Sequence, residues 1–144
     1  MVEKCSMCGS SRVTYVLWMV LFAIIAGYTL FQFFSPASKP SPLLKSLTEP
    51  DFQSSVSSGT VLVDFWAGWC GPCRSQLRIL NDMAENGKIP DGVRFCLVNV
   101  DEESALADRF GIQSIPTMMV FRDGKVIKTM RGVKSEKELL EAVK

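Results

Sequence analysis

From Val13 to Ser38 the chain carries no charged residue, and the centre of this stretch, Val16 to Ala26, is uninterrupted apolar sequence. Roughly 20 such residues cross the hydrocarbon core of a bilayer as a helix. The pattern predicts a transmembrane helix over 13–34, acting as a signal anchor behind a short tail at 1–12. Tyr15 and Trp18 near one end and Tyr28 near the other suit an interfacial aromatic belt. Two other readings stand beside it. One is a cleaved signal peptide, with Ser35-Pro36-Ala37 as a small-residue cleavage site, although the apolar stretch is long for a signal core. The other is a buried helix of a water-soluble protein, although no face of Val13–Phe34 is polar enough to meet water. Ser35-Pro36-Ala37-Ser38-Lys39-Pro40-Ser41-Pro42 follows. Its prolines and serines sustain neither a helix nor a central strand. Residues 35–45 are therefore expected to be a semi-extended spacer that lifts the next domain off the membrane.

Beyond residue 46 the rhythm changes to short apolar runs alternating with amphipathic stretches, the mark of an α/β domain over 46–144. Thr48 is placed to cap a short helix through Phe52 and Val56. Thr60–Trp66 and Val93–Val100 are expected as buried strands. Between them Cys73–Glu85 has Leu77, Leu80 and Ala84 at helical spacing. Ser104–Phe110 predicts a short helix. Thr117–Arg122 and Lys125–Arg131 flank Asp123-Gly124, a hairpin signature. Ser135 and Glu138 form a capping box for a last helix that presents Leu139, Leu140 and Val143.

The chain of 144 residues has room for one folded domain and a short appendage. Its formal net charge is +1, with no basic stripe, so no nucleic-acid partner is expected. It contains no histidine, which removes imidazole base catalysis, histidine-ligated metals and Cys–His nucleophiles. No metal or cofactor is expected. Orientation in the membrane is nearly tied, with Lys4 and Arg12 on one side and Lys39 and Lys45 on the other. The flanking Arg12 favours a cytoplasmic tail and an extracytoplasmic domain; a cytoplasmic-facing domain is the alternative.

Five cysteines are an odd number for a disulfide-stapled fold. Cys96 lies in the apolar run Arg94–Val98 and is expected as a buried small hydrophobe, with a regulatory thiol as the other reading. Cys5 and Cys8 have the spacing of half a zinc site or of a redox pair, and the second half of a zinc site is missing. Incidental or lipid-modified cysteines, or interchain bridging, remain open for them. The informative pair is Cys70 and Cys73, in Trp69-Cys70-Gly71-Pro72-Cys73, directly after the run Val61–Trp66. Two cysteines two residues apart close to a disulfide or open to a dithiol. At a strand-to-helix junction the first meets the unpaired amides of a helix N-terminus, which stabilise a thiolate. The pattern points to thiol–disulfide exchange.

Val63-Asp64-Phe65-Trp66-Ala67-Gly68-Trp69-Cys70-Gly71-Pro72-Cys73 resembles the active-site stretch of the thioredoxin family almost letter for letter. Ile115-Pro116-Thr117 resembles that family's substrate-side proline loop, and Phe121-Arg122-Asp123-Gly124-Lys125 the hairpin after it. The resemblance runs from about Leu47 to the C-terminus. It implies a thioredoxin-like fold, a central mixed β-sheet flanked by helices. It implies Cys70 as nucleophile and Cys73 as resolving thiol, forming a redox-active disulfide. Gly71 and Pro72 then set the ring between them, and Pro72 fits a first helical turn where no amide hydrogen is needed. A Gly-Pro pair here resembles the reducing members of the family.

Asp64 is the one charge in an apolar strand, and burial without a partner raises a carboxyl's pKa. By resemblance it carries protons to and from Cys73; a carboxylate bonded to backbone is the alternative. Leu97 stands where many relatives carry a lysine near this acid, and Arg78 where many carry a helix-kinking proline. Pro116 resembles the family's cis-proline, with a trans-proline in a turn as the other reading. Trp69, Ile115, Gly132 and Val133 are implied as an apolar docking rim, together with Gly71, Pro72 and Pro116, while Trp66 packs beneath the loop.

The expected function is a membrane-tethered reductase of disulfides in other proteins, re-reduced by a partner. For a cytoplasmic domain that partner is a flavin-dependent reductase; for an extracytoplasmic one it is a membrane dithiol carrier. A disulfide oxidase or isomerase, and a non-enzymatic tethered scaffold, are the competing readings.

Overall fold

The computed structural model describes residues 11–33 and 39–144; within 11–33 it describes the side chains of residues 15–27. Cys5, Cys8 and most of the expected tail, together with the start of the expected spacer at 35–38, lie outside the described residues. The chain forms two compact units, Met1–Pro36 and Ala37–Lys144.

The first unit contains α1, a single helix over Ser11–Phe33, close to the 13–34 expected. Its large apolar side chains from Tyr15 to Ile25 are exposed, and none of its described side chains is charged. Among the described residues no helix is long and apolar enough to cross a membrane.

The second unit is a five-stranded mixed sheet between two layers of helices. In chain order it holds β1 (Lys45–Ser46), α2 (Glu49–Val56), β2 (Thr60–Trp66), α3 (Gly71–Glu85), β3 (Val93–Asn99), α4 (Ser104–Arg109), β4 (Thr117–Arg122), β5 (Lys125–Arg131) and α5 (Glu136–Ala142). The spatial order is β1-β3-β2-β4-β5. β1, β3 and β2 run parallel, and β4 and β5 join antiparallel. β2 lies at the centre, buried on both sides, which is why its sequence is an almost continuous apolar run rather than an alternation. The β4–β5 turn has φ of 50° at Asp123 and 81° at Gly124, the left-handed pair that a two-residue hairpin requires.

The three inner strands, β2, β3 and β4, divide their side chains between two cores. Leu62, Leu97, Met118 and Val120 meet Leu77 and Leu80 of α3 and Leu139 of α5. Val61, Val63, Phe65 and Val98 meet Phe52 and Val56 of α2 and Leu106 of α4. The period-2 alternation of the strands, and the 3.6 period of α3 through Cys73, Leu77, Leu80 and Met83, produce this division directly.

Two expectations are corrected, and one strand is additional to those expected. The spacer does not extend through residue 45. The Ser41 amide donates to Asn81 Oδ1 (2.9 Å), and Asn81 Nδ2 donates to the Lys39 carbonyl (2.9 Å), which ties this segment to α3. Ser41 and Leu44 are buried, and Leu44 joins the α3 core. Proline and serine content marks a segment that makes no regular structure, yet such a segment can still dock through its backbone groups. The strand β1, two residues long, was hidden by that same composition. Finally, Thr48 sits at the α2 N-cap without making a side-chain cap bond. Its Oγ1 donates to Asp51 Oδ2 (3.2 Å), and the Glu49 amide is taken by Glu103 Oε2 (2.9 Å) from across the fold.

Candidate functional site

β2 delivers the chain to the C-terminal edge of the sheet, and α3 starts there. Cys70 is the N-cap residue of α3, with extended backbone. Its Sγ accepts from the Cys73 amide at 3.2 Å, occupying the place that a serine or aspartate oxygen usually fills at a cap. Cys70 and Cys73 are joined as a disulfide, with Cα atoms 5.2 Å apart. Pro72 occupies the first turn, where its missing N–H removes no helical bond. Gly71 leaves the surface of the loop open, and the nearest atom to an added Cβ there is Arg74 Nη2 at 4.0 Å. The Arg74 guanidinium lies along this loop, with Nη1 donating to the Gly68 carbonyl (3.3 Å).

Cys70 is more covered than its position at the head of a helix suggests, at 6 % exposed. Ala67, Cys73, Trp66, Val100 and Ile115 pack around it. The Ile115–Pro116 bond is cis, and the Ile115 carbonyl oxygen lies 3.8 Å from Cys70 Sγ. The segment expected to receive substrate backbone is therefore in contact with the sulfur. Trp69 stands above the loop at 70 % exposed, its Nε1 donating to the Asp101 carboxylate (3.0 Å). Val133 is 44 % exposed, and the Gly132 amide donates to the Pro116 carbonyl (2.9 Å). Ile115, Pro116, Gly132 and Val133 are thereby drawn into one rim beside Cys70. Trp66 packs beneath, against both the α3 core and the disulfide.

Asp64 is fully buried, and neither carboxylate oxygen has a hydrogen-bond partner among the described residues. This overturns the reading of a structural carboxylate bonded to backbone. It shares the strand phase of Leu62 and Trp66, so it faces the side covered by α3, the helix that also buries Cys73. Its neighbours across the sheet are Leu97 and Met118. With no cation in those positions, burial alone pushes its pKa from 3.8 to about 8. A buried carboxyl group that keeps its proton at neutral pH is the chemical consequence. Cys96 is buried, and burial raises its thiol pKa against the weaker opposing pull of Arg94 and Lys45; the small-hydrophobe reading fits it.

Three participants were not foreseen. Asp101 and Arg74 are common surface residues with no sequence signal. Gln76 did carry one, a polar residue on the Cys73–Leu77–Leu80 face of an amphipathic helix. A cavity of about 540 Å³ lies at the opposite end of the sheet, beside Lys45, Phe95 and Cys96. None of the residues named for this site lines it. No group of metal-ligating side chains occurs among the described residues.

A family model described as Thioredoxin matches residues 43–144. The thioredoxin of Listeria monocytogenes serovar 1/2a is 36 % identical over 101 residues, covering 70 % of this chain and 96 % of that protein. The thioredoxin of Alicyclobacillus acidocaldarius subsp. acidocaldarius is 43 % identical over 98 residues, covering 67 % of this chain and 90 % of its own length. Among solved structures, a mutant thioredoxin from Halobacterium salinarum NRC-1 superposes with a TM-score of 0.62 at 27 % identity, over 74 % of this chain and 93 % of that one.

Proposed function

The chain belongs to the thioredoxin family, and from that premise we propose that it is a membrane-tethered reductase of protein disulfides. As a thiol–disulfide oxidoreductase it works through Cys70 and Cys73. In the reducing direction, the Cys70 thiolate attacks one sulfur of a substrate disulfide, and the other substrate sulfur leaves as a thiolate. Cys73 gives its proton to the ionised form of Asp64 and attacks Cys70 Sγ. The mixed disulfide breaks, the second substrate thiolate leaves, and the Cys70–Cys73 disulfide closes. Two electrons have passed to the substrate, and a partner must return them.

The observation that carries the reducing direction is the sparse stabilisation of Cys70. A single amide, that of Cys73, points at its sulfur among the described residues. Gly71 and Pro72 add no side-chain donor and no charge. A dithiol whose thiolate is only modestly stabilised leaves its disulfide comparatively stable, and that makes a reductant. Equilibration with glutathione tests this. A potential near the thioredoxin value of about −270 mV is expected; one at or above the roughly −180 mV of isomerases would favour the oxidase or isomerase reading. Insulin-disulfide reduction by residues 37–144 tests turnover, because this unit spans the whole matched region. Full function in a Cys70→Ser chain would favour the scaffold instead.

The tether rests on the sequence of 13–34, whose uncharged, largely apolar run of roughly 20 residues suits a hydrocarbon core of about 30 Å. The segment 13–38 lacks any charge. The catalytic domain then faces the extracytoplasmic side and draws electrons from a membrane dithiol carrier. On the cytoplasmic side a flavin-dependent reductase would serve. Sidedness is read with an impermeant thiol reagent on Cys5 against a reporter at Lys144→Cys, since buried Cys96 is shielded. Release of the chain from membranes by carbonate would count against the tether.

A further inference from the structure

We propose that Gln76 is a positioning residue for protein substrates, a strut that holds the Val133 side of the docking rim to the catalytic helix. The inference rests on the reductase reading above. Gln76 lies one turn beyond Cys73 on the buried face of α3 and is itself fully buried. Its Oε1 accepts from the Lys134 amide at 2.7 Å. Its Nε2 is buried with no partner among the described residues. An apolar side chain in this position would leave no unpaired N–H, so packing does not account for an amide here. What the amide supplies is the bond to Lys134. The opposite amide orientation would set N–H against N–H, so the bond fixes the orientation.

That bond completes a closed path around the disulfide. Lys134 is held to α3 through Gln76, and Gly132 is held to the Pro116 carbonyl at 2.9 Å. Ile115, next to Pro116, touches Cys70 Sγ, and Cys70 begins the helix that carries Gln76. Val133 is suspended between the two attachments with its side chain exposed. Gly132 has φ of 76°, which only glycine adopts without strain, so the segment turns sharply and relies on its ends for position. Cutting the Gln76 end frees the rim facing a protein substrate. It leaves the sulfurs, the Cys73 amide and Asp64 in place. A small disulfide, which needs only the sulfur, is indifferent to that change.

The test uses the full chain in detergent, pre-reduced, in single turnover against insulin and against a small aromatic disulfide. For Gln76→Met, half-saturation by insulin rises about fivefold, as expected for the loss of about one hydrogen bond. The limiting rate and the small-disulfide rate stay within about twofold. Gln76→Glu, which keeps an oxygen opposite Lys134, restores half-saturation. Unchanged half-saturation, an equal fall on both substrates, or failure of Gln76→Glu to restore would each overturn the proposal. Hydrogen exchange at the Lys134 amide of the unmodified oxidised chain decides independently of variant folding and of turnover. Slow exchange supports the strut, and exchange as fast as an exposed loop amide overturns it. A wild-type chain that reduces neither disulfide sinks the reductase reading and leaves this exchange result standing.

Discussion

The two faces of the central sheet are built to different ends. Beneath α2 and α4 the interior is an aromatic cluster. Phe52 lies 5.0 Å from Phe110 and 5.5 Å from Phe121, ring centre to ring centre, and Phe110 meets Phe121 edge-on at 5.6 Å. Beneath α3 and α5 the core is mainly Leu and Met, and it encloses two polar side chains, Asp64 and Gln76, with unpartnered atoms on both. The disulfide stands at the end of this second layer. One face maximises contact; the other accepts the cost of buried polar groups where the chemistry needs a proton acceptor and the rim needs a support. Both unpartnered polar side chains lie on the α3 side of the sheet. Val63 and Phe65 serve the stable face, while Asp64 between them serves the reactive one.

Replacing the acid is the sharpest way to break this contrast. Asp64 has a folded pKa of about 8 against 3.8 when free. Below about pH 4 both states hold the proton, and the carboxyl contributes no pH-dependent term. Between pH 4 and 8 the unfolded chain releases its proton while the folded one retains it, so stability declines as pH rises, and it levels off above pH 8. At about 1.4 kcal/mol per pKa step, the wild-type chain is disadvantaged at pH 9 by something on the order of 5 kcal/mol. Asp64→Asn removes this dependence. In urea denaturation the variant is expected to match the wild type within about 1 kcal/mol at pH 4 and to exceed it by several kcal/mol at pH 9. Release of substrate from the mixed disulfide slows in the same variant, because Cys73 has lost its proton acceptor. Equal stability gains at the two pH values would mean that Asp64 ionises freely inside the fold.

On the other face the trade runs in reverse. Phe52 is fully buried, and Phe52→Ala leaves a cavity beside two rings, Phe110 and Phe121. A loss of about 4 kcal/mol is expected, with the reduction potential and the rate of the folded fraction unchanged. Denaturant midpoints and glutathione equilibration measure the two separately. A shifted potential would show that the aromatic face reaches the sulfur after all.

The division between faces was largely legible from sequence, since period-2 strands on a period-3.6 helix specify which residues meet. β2, β4 and β5 fall on their expected boundaries because each is bounded by strong punctuation, such as Asp123-Gly124. The site was legible for a different reason: Cys70, Cys73, Asp64 and Pro116 sit in contiguous motifs. What escaped were contacts between residues distant in the chain. Asn81 holding Lys39 and Ser41, Gln76 holding Lys134 and Glu103 capping α2 are all single polar side chains meeting a backbone group some 40 to 60 residues away. No local pattern encodes such a meeting, because either partner alone would be equally at home in water.

The two faces also differ in how their helices begin, and this gives the gentlest tests. On the reactive face α5 has a complete capping box. Ser135 Oγ accepts from the Glu138 amide (3.4 Å), and Glu138 Oε2 accepts from the Ser135 amide (2.9 Å). The Ser135 amide and the Ser135 hydroxyl, both donating to Glu138 Oε2, hold that carboxyl below its usual pKa. Ser135→Ala is expected to cost about 1 kcal/mol. On the stable face α2 has Thr48 at the same position, with the same local sequence logic, yet its hydroxyl points to Asp51 and leaves the helical amides alone. Glu103 supplies the missing acceptor to Glu49, and its carboxylate also suits the positive end of the helix. Thr48→Ala should therefore change stability by less than about 0.5 kcal/mol, below the usual value of a threonine cap. Glu103→Gln keeps the acceptor and removes the charge, so it should cost only a few tenths of a kcal/mol and lose that difference at high salt. If Thr48→Ala instead proved as costly as Ser135→Ala, the hydroxyl would be capping α2 in solution. The stable face would then share the local start signal of the reactive one, and the long-range cap from Glu103 would be redundant.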